Sequence, residues 1–166
     1  KKRYAEHEER MRAAETALEA LRGELFDLVS EDARAYESFR TASRMSQRTP
    51  EEVATREAAM KDAARNAARV PLRTAETCVR VLEELQGVAS YGNENALSDA
   101  AVAAWLARAG AEGAVWNVRI NLPELPESER VELDAGARRA VARAEQLHAA
   151  CVEQAGRRLG AAVPSA

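Results

Sequence analysis

Two carboxylates stand where the packing pattern calls for apolar side chains. Asp32 shares a helical face with Leu25, Leu28, Val29, Tyr36 and Phe39, and Asp99 is flanked on one face by Ala96, Val102, Ala103 and Leu106. A carboxylate on such a face is partly desolvated, which is costly unless it is paired or hydrogen-bonded. Desolvation also makes it hold its proton more tightly, the condition that suits general acid or base work. The structural alternatives are specific. Asp32 is then a helix cap or the partner of Arg34 or Arg40, and Asp99 is an acidic residue favoured in the first turn of a helix.

The segment Gly92-Asn93-Glu94-Asn95-Ala96-Leu97-Ser98-Asp99 gathers more polar groups than one helix start needs. Asn95 or Ser98 as N-cap explains one of them and leaves Asn93, Asp99 and the other unexplained. The free N–H groups of a helix N-terminus also accept an anionic or carbonyl oxygen, so a binding wall here is physically reasonable. Asn117 and Asn121 lie four residues apart on one face, where two poor helix formers need partners on a neighbouring helix or a ligand. Arg119 points elsewhere on that turn. Gly110 and Gly113 allow close backbone approach to a neighbouring helix.

Other chemistries lack their residues. There is no phosphate-binding loop, dinucleotide fingerprint or nucleophile elbow. His7 sits among charges and reads as a surface residue. His148 reads as the edge of the core, and without ligands at metal spacing no metal is expected. Cys78 and Cys151 are far apart and read as buried free thiols in a reducing cytoplasm. A net charge of -3 argues against nucleic acid and membrane surfaces as partners, and no apolar run is long enough to cross a bilayer.

Helices must position these groups. The chain opens at Lys1-Lys2-Arg3-Tyr4 already in a helical pattern and without Met, so sequence upstream is expected. Apolar spacing predicts helices over 1–29 and 31–45. Thr49, Pro50 and Glu52 form a capping-box start for a helix to Val70. A kink or break is expected at Pro71, then a helix over 72–89 and a turn at 90–93. Helices over 96–108 and 111–122 are expected to be separated by Gly110, and the second to be stopped by Pro123. The last runs over 127–159, ended by Gly160. Trp105 and Trp116 read as core or interface anchors. The expected architecture is all-α, an antiparallel bundle of long helices over 1–160 as one domain, with 161–166 a frayed tail. Much of the apolar content is alanine, which buries little area per residue, so the core needs close helix packing or a partner subunit to reach adequate burial.

Four stretches occur in an order and spacing that resemble a known family: Glu31-Asp32-Ala33-Arg34-Ala35-Tyr36, Ala68-Arg69-Val70-Pro71-Leu72, Gly92 to Asp99, and Asn117-Val118-Arg119-Ile120-Asn121-Leu122. The sequence is similar to the formiminotetrahydrofolate cyclodeaminase / methenyltetrahydrofolate cyclohydrolase family from Lys1 to about Leu125, and more loosely beyond. The resemblance implies a helical homodimer in the cytoplasm acting on a tetrahydrofolate derivative as substrate, with no metal. It implies cyclisation of 5-formiminotetrahydrofolate to 5,10-methenyltetrahydrofolate with loss of ammonia, or interconversion of the 5,10-methenyl and 10-formyl forms. Asp32 and Asp99 would then move protons. Asn93, Asn95, Ser98, Asn117 and Asn121 would orient the pterin or the one-carbon unit. Lys1, Lys2 and Arg119 would meet the folate carboxylates. A non-catalytic interaction module on the same scaffold is the alternative. The family's Gly-Gly-Gly-Ser stretch is not in this sequence, and Glu94 stands where proline is common.

Overall fold

The computed structural model describes residues 2–160, with side chains from Ala5 onward. After a 3-10 turn (Lys2–His7) come four long helices: α1 (Glu8–Ser43), α2 (Pro50–Tyr91), α3 (Leu97–Asn121) and α4 (Glu127–Leu159). Short 3-10 turns at Glu94–Ala96 and Leu122–Glu124 lead into and out of α3. No strand occurs among the described residues.

The cross-contacts fix the course of the bundle. Glu24 meets Thr77 and Arg80, Glu31 meets Arg73, and Arg56 donates to the Ser43 carbonyl, so α1 and α2 run antiparallel. Asn121 reaches Ala67, and Gly110 lies against Cys78, so α3 also runs antiparallel to α2. The main core is formed by α2, α3 and α4, around fully buried Leu82, Val118 and Cys151. In α1 one residue per heptad is buried (Ala14, Leu21, Leu28, Ala35 and Ala42), so it touches α2 along a narrow seam and leaves its flanks open.

Three expected interruptions are absent. The first two predicted helices are one, because the seam continues unbroken through Leu28 and Ala35. The helix predicted to break at Gly110 runs on. A Cβ at Gly110 would sit 3.0 Å from Cys78 Sγ, so the glycine lets α3 approach α2 and ends nothing. Pro71 lies inside α2 without breaking it. Its missing N–H leaves the Ala67 carbonyl without its helical donor. The Asn121 side chain supplies that donor at 2.9 Å.

The capping box that opens α2 is present as expected. Thr49 Oγ1 accepts from Glu52 N at 3.2 Å, and the Glu52 carboxylate accepts from Thr49 N and Arg48 N. Replacing Thr49 with Ala is expected to cost about 1 kcal/mol, read as a fall in the chemical-denaturation midpoint at unchanged slope.

Candidate functional site

A cleft of 330 Å³ opens where α1 and α3 diverge above α2. Asp32, Tyr36 and Phe39 form its α1 wall, Asn117, Ile120 and Asn121 its α3 wall, and Ala67 its floor. The volume lies at the small end of the range for ligand pockets. Helical phase puts these groups together: Asp32, Tyr36 and Phe39 share one edge of α1, and Asn117 and Asn121 share one edge of α3.

Asp32 pairs with nothing among the described residues, and Arg40 is engaged by Glu37 instead. The desolvation expected of Asp32 is absent, because the residue is exposed. The reason is the narrow α1 seam, which leaves Val29 70% and Tyr36 67% exposed beside it. Asn121 Nδ2 donates to the Ala67 and Asn117 carbonyls, so its amide nitrogen is spent within the fold. The Asn117 side chain is exposed and makes no hydrogen bond among the described residues. The cleft therefore presents one unpaired carboxylate, one free amide and two aromatic walls. Those walls suit a flat heterocycle, and the carboxylate suits proton transfer.

The Gly92–Asp99 segment lies at the other end of α3. Gly92 closes α2 where a Cβ would meet the Val88 carbonyl oxygen at 2.5 Å, so no other residue fits there. Arg158 of α4 clamps the turn by donating to the Ala89 and Gly92 carbonyls at 2.9 and 2.8 Å. Asn93 Oδ1 accepts from Asn95 N at 3.0 Å and caps the 3-10 turn. Neither Asn95 nor Ser98 caps α3, whose N-cap position is Ala96, because the 3-10 turn intervenes. Asn95, Ser98 and Asp99 are exposed, so Asp99 is not on a buried face. Asp99 and Asn117 are 18 residues apart, which is about 27 Å along the helix.

The chain thus joins Asp32, Asn117 and Asn121 and leaves Asn93, Asn95, Ser98 and Asp99 apart from them. Asn93 borders a larger cleft of 670 Å³ between the start of α1 and the end of α2, rimmed by Glu8, Glu15 and Glu19. That acidic rim disfavours an anionic ligand. Arg119 is turned to α4, 3.6 Å from Asp134, and is not at the cleft. Lys1 and the side chain of Lys2 lie outside the described residues. The floor carbonyl of Ala67 escaped sequence reasoning. Its signal was Pro71, four residues on, which by necessity leaves that oxygen unpaired in a continuous helix.

Among the described residues no group of three or more metal-ligating side chains occurs, and no helix is long and apolar enough to cross a membrane. His7 is half-buried against the Tyr91 ring at 4.6 Å, not free on the surface, because the entry turn folds onto the end of α2. His148 is 4% exposed, with its ring against Trp105 at 4.0 Å and Nδ1 3.5 Å from Arg108. Its Nε2 has no hydrogen-bond partner among the described residues.

Burial, and then the Arg108 charge, push the His148 pKa below its ordinary 6.5, with Glu112 opposing. The unfolded chain then binds a proton more readily than the folded one. Stability is full above about pH 6.5 and falls as the pH drops below it. Glu129 and Glu24 are held below their ordinary range, Glu129 by Arg65 and Glu24 by the Thr77 hydroxyl ahead of Arg80. Their contributions are lost only at more acid pH. Replacing His148 with Phe is expected to flatten the loss between pH 7 and 5 and leave the acid limb in place, as measured by denaturation midpoints across pH.

A family described as formiminotransferase-cyclodeaminase matches residues 1–140. The formimidoyltransferase-cyclodeaminase of Rattus norvegicus is 39% identical over 108 residues, 65% of this chain. The chain spans only 20% of that rat protein's length. The methenyltetrahydrofolate cyclohydrolase of Methylorubrum extorquens is 34% identical over 127 residues, 76% of this chain and 61% of that protein. Among solved structures, the formiminotetrahydrofolate cyclodeaminase of Thermotoga maritima matches with a TM-score of 0.79 at 27% identity, over 96% of this chain and 74% of that one.

Proposed function

The chain belongs to the formiminotransferase-cyclodeaminase family, and from that premise we propose that it is a folate one-carbon enzyme whose site is the cleft between α1 and α3. It acts, as a homodimer, on 5-formiminotetrahydrofolate or on 5,10-methenyltetrahydrofolate. The observation that carries the reading is the meeting of Asp32, Asn117 and two aromatic rings in one cleft, with the carboxylate unpaired among the described residues. The family's two reactions demand the same service from the protein. In deamination, N10 attacks the formimino carbon and loses a proton, the former imine nitrogen gains protons, and its bond to carbon breaks to release ammonia. In hydrolysis, water adds to the methenyl carbon and loses a proton, then the hydroxyl gives up its proton as the carbonyl forms, the carbon–N5 bond breaks and N5 takes a proton. Each passes through a tetrahedral carbon flanked by nitrogens, so one carboxylate that takes and returns a proton serves both.

Asp32 is that carboxylate. Asn117 offers a donor and an acceptor to the ring edge, and Tyr36 and Phe39 flank the ring. Asn121 contributes through the floor it holds, because its nitrogen is already engaged by Ala67 and Asn117. The test follows the methenyltetrahydrofolate absorbance with each substrate in turn. The reading predicts catalysed appearance from the formimino compound or catalysed loss from the methenyl compound. Absence of both, together with absence of folate binding, contradicts it and leaves the interaction-module reading.

A further inference from the structure

The floor of the cleft is a backbone oxygen with room for another donor. Pro71 stands inside the 42-residue helix α2 and brings no N–H to the Ala67 carbonyl four residues back. A carbonyl oxygen has two lone pairs. Asn121 Nδ2 takes one of them at 2.9 Å. Ala67 is half-buried where Ala64 and Ala68 are 1% and 0% exposed, and a methyl side chain does little to screen the backbone from the cleft. We propose that the Ala67 carbonyl accepts the terminal N–H of a formimino group, and that it makes the cleft selective for 5-formiminotetrahydrofolate over 5,10-methenyltetrahydrofolate.

Two features favour a role toward substrate. The first is the proline itself. A proline in a helix interior costs about 3 kcal/mol or more. Residues that violate local preference in this way, with a rescuing partner brought from another helix, are expected at functional sites. The second is the company the oxygen keeps. Asp32 and the Ala67 carbonyl put two acceptors into one cleft of 330 Å³, and no Lys or Arg is among the described residues that line it. Acceptors without a cation suit a ligand that brings its own N–H donors or its own positive charge.

The two folates differ in what they bring. The terminal nitrogen of the formimino group carries N–H whether the amidine is neutral or protonated. The methenyl bridge joins two fully substituted nitrogens and carries none. Pterin N–H groups are common to both, so a preference between the two compounds reports an acceptor at the one-carbon unit. In deamination N10 bonds to the formimino carbon, the C=N electron pair moves to the terminal nitrogen, and N10 gives up its proton through Asp32. The terminal nitrogen passes from =NH to –NH2 to NH3, taking that proton and one from solvent. It leaves with the electron pair of its bond to carbon, and the N5 lone pair closes the methenyl double bond. The nitrogen gains N–H bonds along this path. A fixed carbonyl dipole therefore holds it more tightly in the transition state than in the ground state.

This role rests on the folate reading, and the experiment separates the two. Pro71→Ala restores a backbone N–H to the Ala67 oxygen and so fills its second lone pair. It also relieves the helix, so the variant is expected to be at least as stable as the wild type, and a loss of function is then not a loss of structure. Its kcat/KM for the formimino compound is expected to fall about ten- to hundredfold, the worth of one hydrogen bond to a charged donor, and that for the methenyl compound by less than about twofold. If the methenyl compound is only a product, its inhibition constant takes the place of the rate. Adding Asn121→Leu to Pro71→Ala opens one lone pair again and is expected to restore part of the formimino rate, although Asn121→Leu alone lowers it. An equal loss with both compounds, no loss with either, or a wild-type protein that turns over the methenyl and not the formimino compound overturns the role and leaves the folate reading standing. Absence of turnover and of binding for both compounds removes the folate reading, and the role with it.

Discussion

Replacing Asp32 with Asn is expected to lower kcat by about 10²–10⁴-fold while the fold stays as stable as before. The loss corresponds to about 3–5 kcal/mol of barrier. Both halves of the expectation come from the same facts. Asp32 is exposed in the subunit and pairs with nothing among the described residues, so its neutral amide takes nothing from the packing. Surface changes of that kind stay within about 0.5 kcal/mol of stability. The amide cannot accept and return a proton, so the chemical step loses its shuttle. Stopped-flow and steady-state rates with both folate substrates check the first half, and chemical denaturation checks the second. Wild-type kcat in Asp32→Asn places proton transfer on another group. A variant that loses activity and several kcal/mol of stability together makes Asp32 a structural residue.

The second large effect concerns Asn121 and Pro71 jointly. Asn121→Leu removes the side-chain donor to the part-buried Ala67 carbonyl, and losing one such hydrogen bond costs about 0.5–1.5 kcal/mol. In a chain of this size that is a fall of about 2–4 °C in Tm per kcal/mol. Pro71→Ala returns a backbone N–H to the same oxygen, so in that background Asn121→Leu is expected to cost well under 1 kcal/mol. The coupling energy of the double-mutant cycle is the readout. Strict additivity would mean that the two residues do not share the Ala67 oxygen. Activity is expected to fall in Asn121→Leu, since the cleft floor shifts, and to return in part in the double variant.

The same pair marks the boundary of what the sequence makes legible. Helix existence is readable from apolar periodicity, and the capping box at Thr49 is readable because its partners are three residues apart. Continuity is harder. Pro71 and Gly110 are local signals for a break, and in each case a neighbour from elsewhere in the chain removes the reason to break. Asn121 supplies the missing donor, and Cys78 fills the space that a Cβ would occupy. Such rescues depend on tertiary packing that local propensity does not contain. At the site, phase alone correctly joins Asp32 to an apolar edge of α1 and Asn117 to one of α3. That these edges meet follows from both helices crossing the same stretch of α2 near Ala67. Burial of Asp32 and Asp99 is what their apolar neighbours suggest, but Val29 and Tyr36 beside the first and Val102 and Leu106 beside the second are themselves exposed. An apolar face identifies a surface to be covered without saying whether its cover lies in the same chain.

The most direct test of the account is a crystal structure with 5-formyltetrahydrofolate, a stable relative of both substrates. The account predicts the pterin between Tyr36 and Asn117, its one-carbon group within hydrogen-bond reach of Asp32, and the Asn121–Ala67 bond intact beneath it. Folate lodged instead in the larger cleft beside Met11 and Asn93, with Asp32 facing solvent, would contradict it.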